Sequence, residues 1–306
     1  MSEAPKVRAI LNPRAGLAAE RARRAILEGP WKHVDLKLTE GPVHAKELAQ
    51  EAVAQGCEIV LAVGGDGTAN ETACGLLGSR VALGLVPMGS GNGLARTLNV
   101  PLSPDRALAA LAAGVVRPMD VGFVNDRPFL NVAGAGLDAL VGDDFHAHGK
   151  DGGRRGVLTY LKLSLARAFS YSAERWLLEA DGQRFEGAAL IVAFVNGRQY
   201  GGGATIAPRA RIDDGLLDVV VFEDAPRLEL IAAAPRLFLG GIERFRRYRH
   251  FAAASATLTG PATFLHHRDG EPEPAVARLD VRVGRKALRI LVPEATAADP
   301  GGPFTA

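Results

Sequence analysis

Residues 61–71 read Leu-Ala-Val-Gly-Gly-Asp-Gly-Thr-Ala-Asn-Glu, an apolar run that passes through a glycine turn into helical spacing. Glu58–Val63 is short, apolar and β-branched, the pattern of a buried parallel strand, and Thr68–Leu77 is periodic as a helix with Thr68 near its N-cap. Gly64, Gly65 and Gly67 then form the strand-to-helix turn. Glycines in such a turn let backbone N–H groups approach a ligand, and a helix N-terminus favours an anion. Asp66 stands out in this setting, because a carboxylate repels phosphate unless a cation lies between them or it acts on a proton during transfer. Read alone, the GGDG run is equally an ordinary βα turn in which Asp66 caps the helix.

The flanking sequence extends the pattern. Strands at Val7–Leu11, Val34–Leu38, Glu58–Val63 and Val81–Val86 alternate with helices at Leu17–Leu27, Val43–Gln55 and Thr68–Leu77, which predicts a parallel sheet covered by helices. Ligands bind at the carboxyl ends of such strands. The glycine turns fall there: Asn12–Gly16, Thr39–Gly41, Gly64–Thr68 and Pro87–Gly93. From about Met119 the pattern changes to short strands at Val121–Val124, Phe129–Ala133, Trp176–Ala180, Ala188–Asn196, Leu216–Phe222, Thr257–Thr259, Val276–Val283 and Leu288–Val292. Helical stretches at Val157–Phe169 and Leu228–Leu239 interrupt them. The expected organisation is an α/β domain over residues 1–118, an antiparallel β-rich domain over 119–294 and an irregular tail over 295–306.

The 306 residues carry 36 Lys and Arg against 34 Asp and Glu, so the small net charge of +2 excludes the large basic excess of a nucleic-acid binder. Cys57 and Cys74 make neither a disulfide framework nor a zinc site, which fits a reducing cytoplasm. No secretory signal precedes the first strand and no apolar window is long enough to span a bilayer, so any membrane contact is expected to be peripheral.

Further motifs carry candidate chemistry. Asn12-Pro-Arg-Ala-Gly16 offers side-chain donors to a phosphate or base on a turn stiffened by Pro13. Pro87-Met-Gly-Ser-Gly-Asn-Gly-Leu-Ala-Arg96 is a flexible, donor-rich loop leading into a helix. His44 reads as a surface or capping residue, and His266 and His267 lack zinc-site spacing and read as structural. In Ile206–Asp218 the Asp213-Asp214-Gly215 turn could hold a hard cation or simply precede a strand as an Asx turn. Arg268-Asp-Gly-Glu-Pro-Glu273 is a second acidic turn in which Asp269 and Glu271 are candidate proton acceptors, a solvated hairpin being the alternative. Ile242–Phe251 interleaves arginines with aromatics, which suits an anionic membrane surface or, preferably, an exposed edge strand.

Taken in order, NPRAG, GGDGTANE, PMGSGNGLAR, NVAGAGLDA, IAPRARIDDGLLD and RDGEPE resemble the diacylglycerol kinase catalytic-domain family, which includes bacterial lipid kinases and sphingosine kinases. The resemblance spans roughly residues 6–292. It implies an N-terminal domain like that of NAD kinases and phosphofructokinases, a C-terminal β-rich lipid-binding domain, and ATP held between them. Carried over by position, Asn12, Pro13, Arg14, Ala15, Gly16, Thr39, Gly65, Asp66, Gly67, Thr68, Ala69, Asn70, Glu71 and Ser90 would contact ATP. Asp66 would organise the Mg²⁺–ATP centre, Glu271 would be the proton acceptor with Asp269 as the adjacent candidate, and Asp138 would lie near the substrate's polar head. Asp214, with the carbonyls of Arg211 and Leu216, matches a structural magnesium site. Gly89-Ser-Gly-Asn-Gly93 departs from the GTxND form of many bacterial members toward the sphingosine kinase form, so the resemblance does not select diacylglycerol over a sphingoid base. The implied activity is ATP-dependent phosphorylation of a lipid hydroxyl at the membrane surface, with a homodimer left open. The alternatives are a kinase of a soluble substrate such as NAD and a non-catalytic lipid- or nucleotide-binding regulator.

Overall fold

The computed structural model describes residues 5–31, 33–150, 167, 171–200 and 202–305. The chain divides into two compact units, one running to Asp120 and resuming at Arg285, the other covering Val121–Gly284.

In the first unit, strands β1 (Val7–Leu11), β2 (Asp35–Leu38), β3 (Ile59–Gly64) and β4 (Ala82–Pro87) alternate with helices α1 (Leu17–Glu28), α2 (His44–Ala54) and α3 (Asp66–Leu76). All pairings are parallel, in the order β4-β3-β1-β2. The central strands are buried almost throughout, as expected of a sheet with helices on its faces. Two helices follow, α4 (Gly93–Thr97) and α5 (Pro104–Ala112), and Trp31 Nε1 donates to the Leu108 carbonyl (2.8 Å) to tie α5 down.

The second unit contains the end of β5 (Val115–Val124), β6 (Arg127–Phe129), β7 (Val132–Gly136), α6 (Leu137–Lys150), β8 (Glu174–Ala180), β9 (Gln183–Val195), β10 (Leu217–Glu223), β11 (Tyr248–Ala253), β12 (Ser255–Arg268) and most of β13 (Glu271–Val292). Its strand pairings are antiparallel. The long strands β9 and β12 each pair β8 at one end and β7 at the other, so four strands enclose an apolar core. Trp176 and Phe264 meet there edge to face, 4.8 Å between ring centroids. β11 lies at the end of the sheet order with β10 as its neighbour, the edge-strand reading of the arginine-aromatic run.

Several expectations are corrected. Residues 285–294 do not stay with the β-rich unit, because β13 is one 22-residue strand whose final part pairs parallel with β4. The tail is not wholly irregular: Glu294–Ala298 is helical, Thr296 Oγ1 donates to the Leu98 carbonyl (2.8 Å), and Phe304 is buried under the Arg117 guanidinium. Phe129–Ala133 is broken into β6 and β7 at Leu130 and Asn131. Leu228–Leu239 breaks into Arg227–Ala233 and Arg236–Leu239, since Pro235 has no N–H to continue the ladder. The expected helix at Val157–Phe169 lies outside the described residues, Arg167 excepted.

A buried cation stabilises the first unit. Arg8, on β1, is 1% exposed and donates to Asp35 Oδ2 through Nε and Nη2 (2.8 and 2.6 Å), to the Leu48 carbonyl and to Gln55 Oε1. Burial pushes the Asp35 carboxyl up, but the Arg8 hydrogen bonds and charge, aided by Lys37, outweigh it and hold the carboxyl below its ordinary range. A depressed carboxyl contributes stability above its unfolded pKa and loses it as pH falls through the folded value. Asp35→Asn should therefore cost about 2 kcal/mol near neutrality, a figure discounted because Asp35 is 40% exposed, and the gap should shrink in strong acid. Urea midpoints of both proteins across pH measure this; a pH-independent gap would refute the assignment.

Candidate active site

In the first unit, three of the four turns at the carboxyl ends of the strands are joined by specific contacts. Asn12, after β1, donates from Nδ2 to Thr68 Oγ1 (3.2 Å) and accepts from Arg14 N through Oδ1 (3.0 Å). Pro13, Arg14 and Ala15 form a 3₁₀ turn closed by Gly16. Thr39 N donates to the Leu11 carbonyl, which sets the end of β2 beside that turn.

The link from β3 to β4 is tighter. Asp66 accepts the backbone N–H of Asn92 at Oδ2 (2.8 Å) and of Gly93 at Oδ1 (3.0 Å). Met88 N donates to the Gly64 carbonyl (2.8 Å), and Asn92 closes its own loop by accepting from Gly89 N (3.0 Å) and donating to the Gly89 carbonyl (2.6 Å). The loops touch at Gly65 and Gly89: a Cβ on Gly65 would stand 3.3 Å from Gly89 Cα, and one on Gly89 would stand 2.9 Å from Gly65 Cα. Both positions need glycine for this close approach.

Helix α3 begins at Asp66 with Gly65 as N-cap, two residues earlier than its periodicity suggested, and no side chain caps it. Asp66 is thus the first helical residue and binds the neighbouring loop instead of capping. Gly65, the N-cap, has no side chain to cap the helix, and a helix N-terminus of this kind favours an anion. Ala69, Asn70 and Glu71 continue the first turns, and Ser90 lies on the exposed part of the fourth loop. His44 Nδ1 accepts from Glu40 N (3.0 Å), a turn-capping contact.

In the second unit the acidic turn between β12 and β13 divides its carboxylates by role. Asp269 and Gly270 have φ of +48° and +84°, the left-handed pair of a tight hairpin turn. Asp269 accepts three backbone N–H groups, from Leu130 (2.8 Å), Asn131 (2.8 Å) and Val132 (3.1 Å). Those donors come from the break between β6 and β7, so Asp269 staples the turn. Glu273 is buried and neutralised by Arg268 and Arg127. Glu271 is the exposed carboxylate of the turn.

Asp138 is buried at the start of α6 and does not present a free carboxylate to a substrate. Oδ2 accepts from Tyr200 Oη (2.6 Å) and faces His267 Nε2 (3.1 Å), while Oδ1 accepts from Ala139 N (2.9 Å). His267 Nδ1 accepts from Gly270 N (3.3 Å), which places its proton on Nε2 and makes it a donor to Asp138. A chain Tyr200–Asp138–His267–Gly270 therefore supports the turn that carries Glu271. His267 is thus a structural residue, as read from the sequence, although its buried partner Asp138 lies 129 residues away and was not legible there. Burial, opposed by Glu273, holds His266 below its ordinary pKa.

Arg211, Asp214 and Leu216 precede β10, where Asp214 Oδ1 accepts from Leu216 N (3.0 Å) across Gly215. That contact is the Asx turn. Among the described residues no group of three His, Cys, Asp or Glu side chains could hold a metal.

A family model for the diacylglycerol kinase catalytic domain matches residues 6–124, and one for the YegS C-terminal NAD kinase beta sandwich-like domain matches residues 131–292. This chain belongs to the diacylglycerol kinase catalytic-domain family. Among its relatives, a protein of Pseudomonas putida named probable lipid kinase YegS-like is 34% identical over 264 residues, 85% of each chain. One of the same name from Pseudomonas fluorescens is 33% identical over 282 residues, 90% of each. A crystal structure of a diacylglycerol kinase from Bacillus anthracis shares the fold, with a TM-score of 0.71 over 95% of this chain and 98% of that one at 22% identity. The chain is thus a kinase-family member with a C-terminal β-rich domain.

Replacing Asp269 with Ala orphans three amides and should cost about 2–3 kcal/mol. Hydrogen exchange at Leu130, Asn131 and Val132 should accelerate by an order of magnitude or more, and unchanged protection there would remove the staple.

Proposed function

We propose that this protein transfers the γ-phosphoryl group of ATP to the hydroxyl of a membrane lipid, diacylglycerol-like or sphingosine-like. The observation that carries the reading is the locked junction of Asn12, Gly64–Thr68 and Gly89–Gly93 around an uncapped helix N-terminus, in a chain of this kinase family. That junction fits a triphosphate: its donors are backbone N–H groups, and Gly65, Gly67 and Gly89 keep side chains out of the way.

The residues also fit Mg²⁺ as an ATP partner. Asp66 places a carboxylate at this junction, and Mg²⁺ commonly takes one or two carboxylates with water and phosphate oxygens. When bound, it would neutralise charge on the phosphates. Asp214, with the Arg211 and Leu216 carbonyls, is the proposed second, structural magnesium position.

In the reaction the lipid hydroxyl oxygen forms a bond to the γ-phosphorus while the bond to the bridging oxygen of ADP breaks. Glu271 accepts the hydroxyl proton, and ADP leaves. The protein's work is positioning and electrostatics. Asp66 fixes the phosphate loop; Asp269 and the Asp138–His267 pair fix the turn that bears Glu271. The same reading places the enzyme in the cytoplasm, peripherally on the membrane; among the described residues no helix is long and apolar enough to cross one.

ADP release with NAD, diacylglycerol, monoacylglycerol and sphingoid bases tests the proposal. Turnover is expected with a lipid and not with NAD. Glu271→Gln should lower kcat by about 100-fold or more with ATP affinity retained. Asp66→Asn should abolish transfer, with the melting temperature reporting whether the fold survives. Turnover with NAD alone, or an unimpaired Glu271→Gln enzyme, would overturn it.

A further inference from the structure

The segment Arg227–Leu239 is apolar on two opposite faces. Ala234 and Pro235 keep right-handed helical backbone angles between its two short helices, and Ala234 N and Leu237 N donate to the Leu230 and Ala234 carbonyls, so helical phase carries through. At about 100° per residue, Leu230, Ala233 and Leu237 share one face. That face packs into a core with Ile206, Val220, Ile242 and Phe245.

Leu228, Ile231 and Phe238 fall on the other side, with Leu239 beside them. They are 81%, 43%, 46% and 86% exposed. A helix apolar on both faces belongs in an interior, and an exposed stripe of large apolar side chains marks a surface that something else covers.

Charge indicates what covers it. Between Arg227 and His250 six arginines stand against two glutamates, in a chain whose overall net charge is only +2. Arg246 pairs with Glu229, and Arg247 and Arg249 share Glu223. Arg236 and Arg244 remain in exposed positions on the segment and just after it. Large apolar side chains beside arginines are the composition of an interfacial element on anionic lipid. A second copy of the same surface would bring like charge against like charge, which disfavours self-association through this face.

We propose that the exposed face of Arg227–Leu239 docks on an anionic bilayer, with Leu228, Ile231, Phe238 and Leu239 entering the acyl boundary and Arg236 and Arg244 on the headgroups. The proposal deepens the lipid-kinase reading and rests on it only for the need to reach a membrane. No residue of the docking face belongs to the phosphate junction or the Glu271 turn.

The test is co-sedimentation of the full chain with phosphatidylcholine vesicles, with and without phosphatidylglycerol, in the absence of nucleotide and substrate. Wild type should bind the anionic vesicles preferentially and release at high salt. Leu228→Asp/Leu239→Asp should weaken binding by an order of magnitude or more, and Arg236→Glu/Arg244→Glu should remove the preference for anionic lipid. Melting temperatures should stay at the wild-type value, since all four side chains are exposed. Wild-type sedimentation of the leucine variant would overturn the proposal. So would concentration-dependent dimerisation that the leucine variant abolishes while vesicle binding persists. Because the assay contains no ATP, loss of the kinase reading in the substrate panel would leave this result standing, and failure here would leave the panel untouched.

Discussion

Asp66 accepts the N–H groups of Asn92 and Gly93, and the first unit's candidate chemistry depends on that clasp. The bond ties the turn after β3 to the turn after β4, two loops that each lead into a helix. It works only because Gly65 and Gly89 have no side chains where the loops meet. A charged acceptor on two backbone donors makes a strong, directional link. The carboxylate that looked anomalous beside a phosphate site therefore has a structural role already in the absence of ligand.

The second unit follows the same logic with different groups. Of the three carboxylates in the hairpin turn, Asp269 serves the backbone of Leu130–Val132 and Glu273 serves two arginines. What is left exposed is Glu271. Beneath the turn, Asp138 and His267 form a buried hydrogen-bonded pair extended by Tyr200, and buried polar networks of this kind rigidify what they support. A carboxylate on a hairpin tip would otherwise be mobile; here the tip is fixed from two sides.

The parallel strands of the first unit were legible because each is a local apolar run bounded by its own turn, and β1 was placed to the residue. The start of α3 was misjudged by two residues because Thr68 looks like a cap, whereas its hydroxyl is taken by Asn12. The C-terminal helix was hidden because Ala, Pro and Gly suggest a loose tail; burial of Phe304 and the Thr296 contact decide otherwise. The merger of two expected strands into β13 was invisible for a related reason: Gly284 and Arg285 read as a break, while the backbone continues through them from one unit into the other. Among site residues, the motifs pointed to the right turns but could not assign roles within them. The loop partners of Asp66 and Asp269 and the side-chain partners of Asp138 named above lie 26 or more residues away along the chain, and no local pattern encodes which carboxylate will be consumed by backbone donors.

The central claim is that the Gly65–Gly89 junction receives the phosphates of ATP. Amide chemical shifts of the isotopically labelled protein, followed through a titration with ATP and Mg²⁺, test it without altering the molecule. The largest saturable changes are expected at Gly65, Asp66, Gly67 and Thr68 and at Gly89 to Gly93. Saturable ATP binding that leaves those amides unmoved, or no binding at all, would contradict the account.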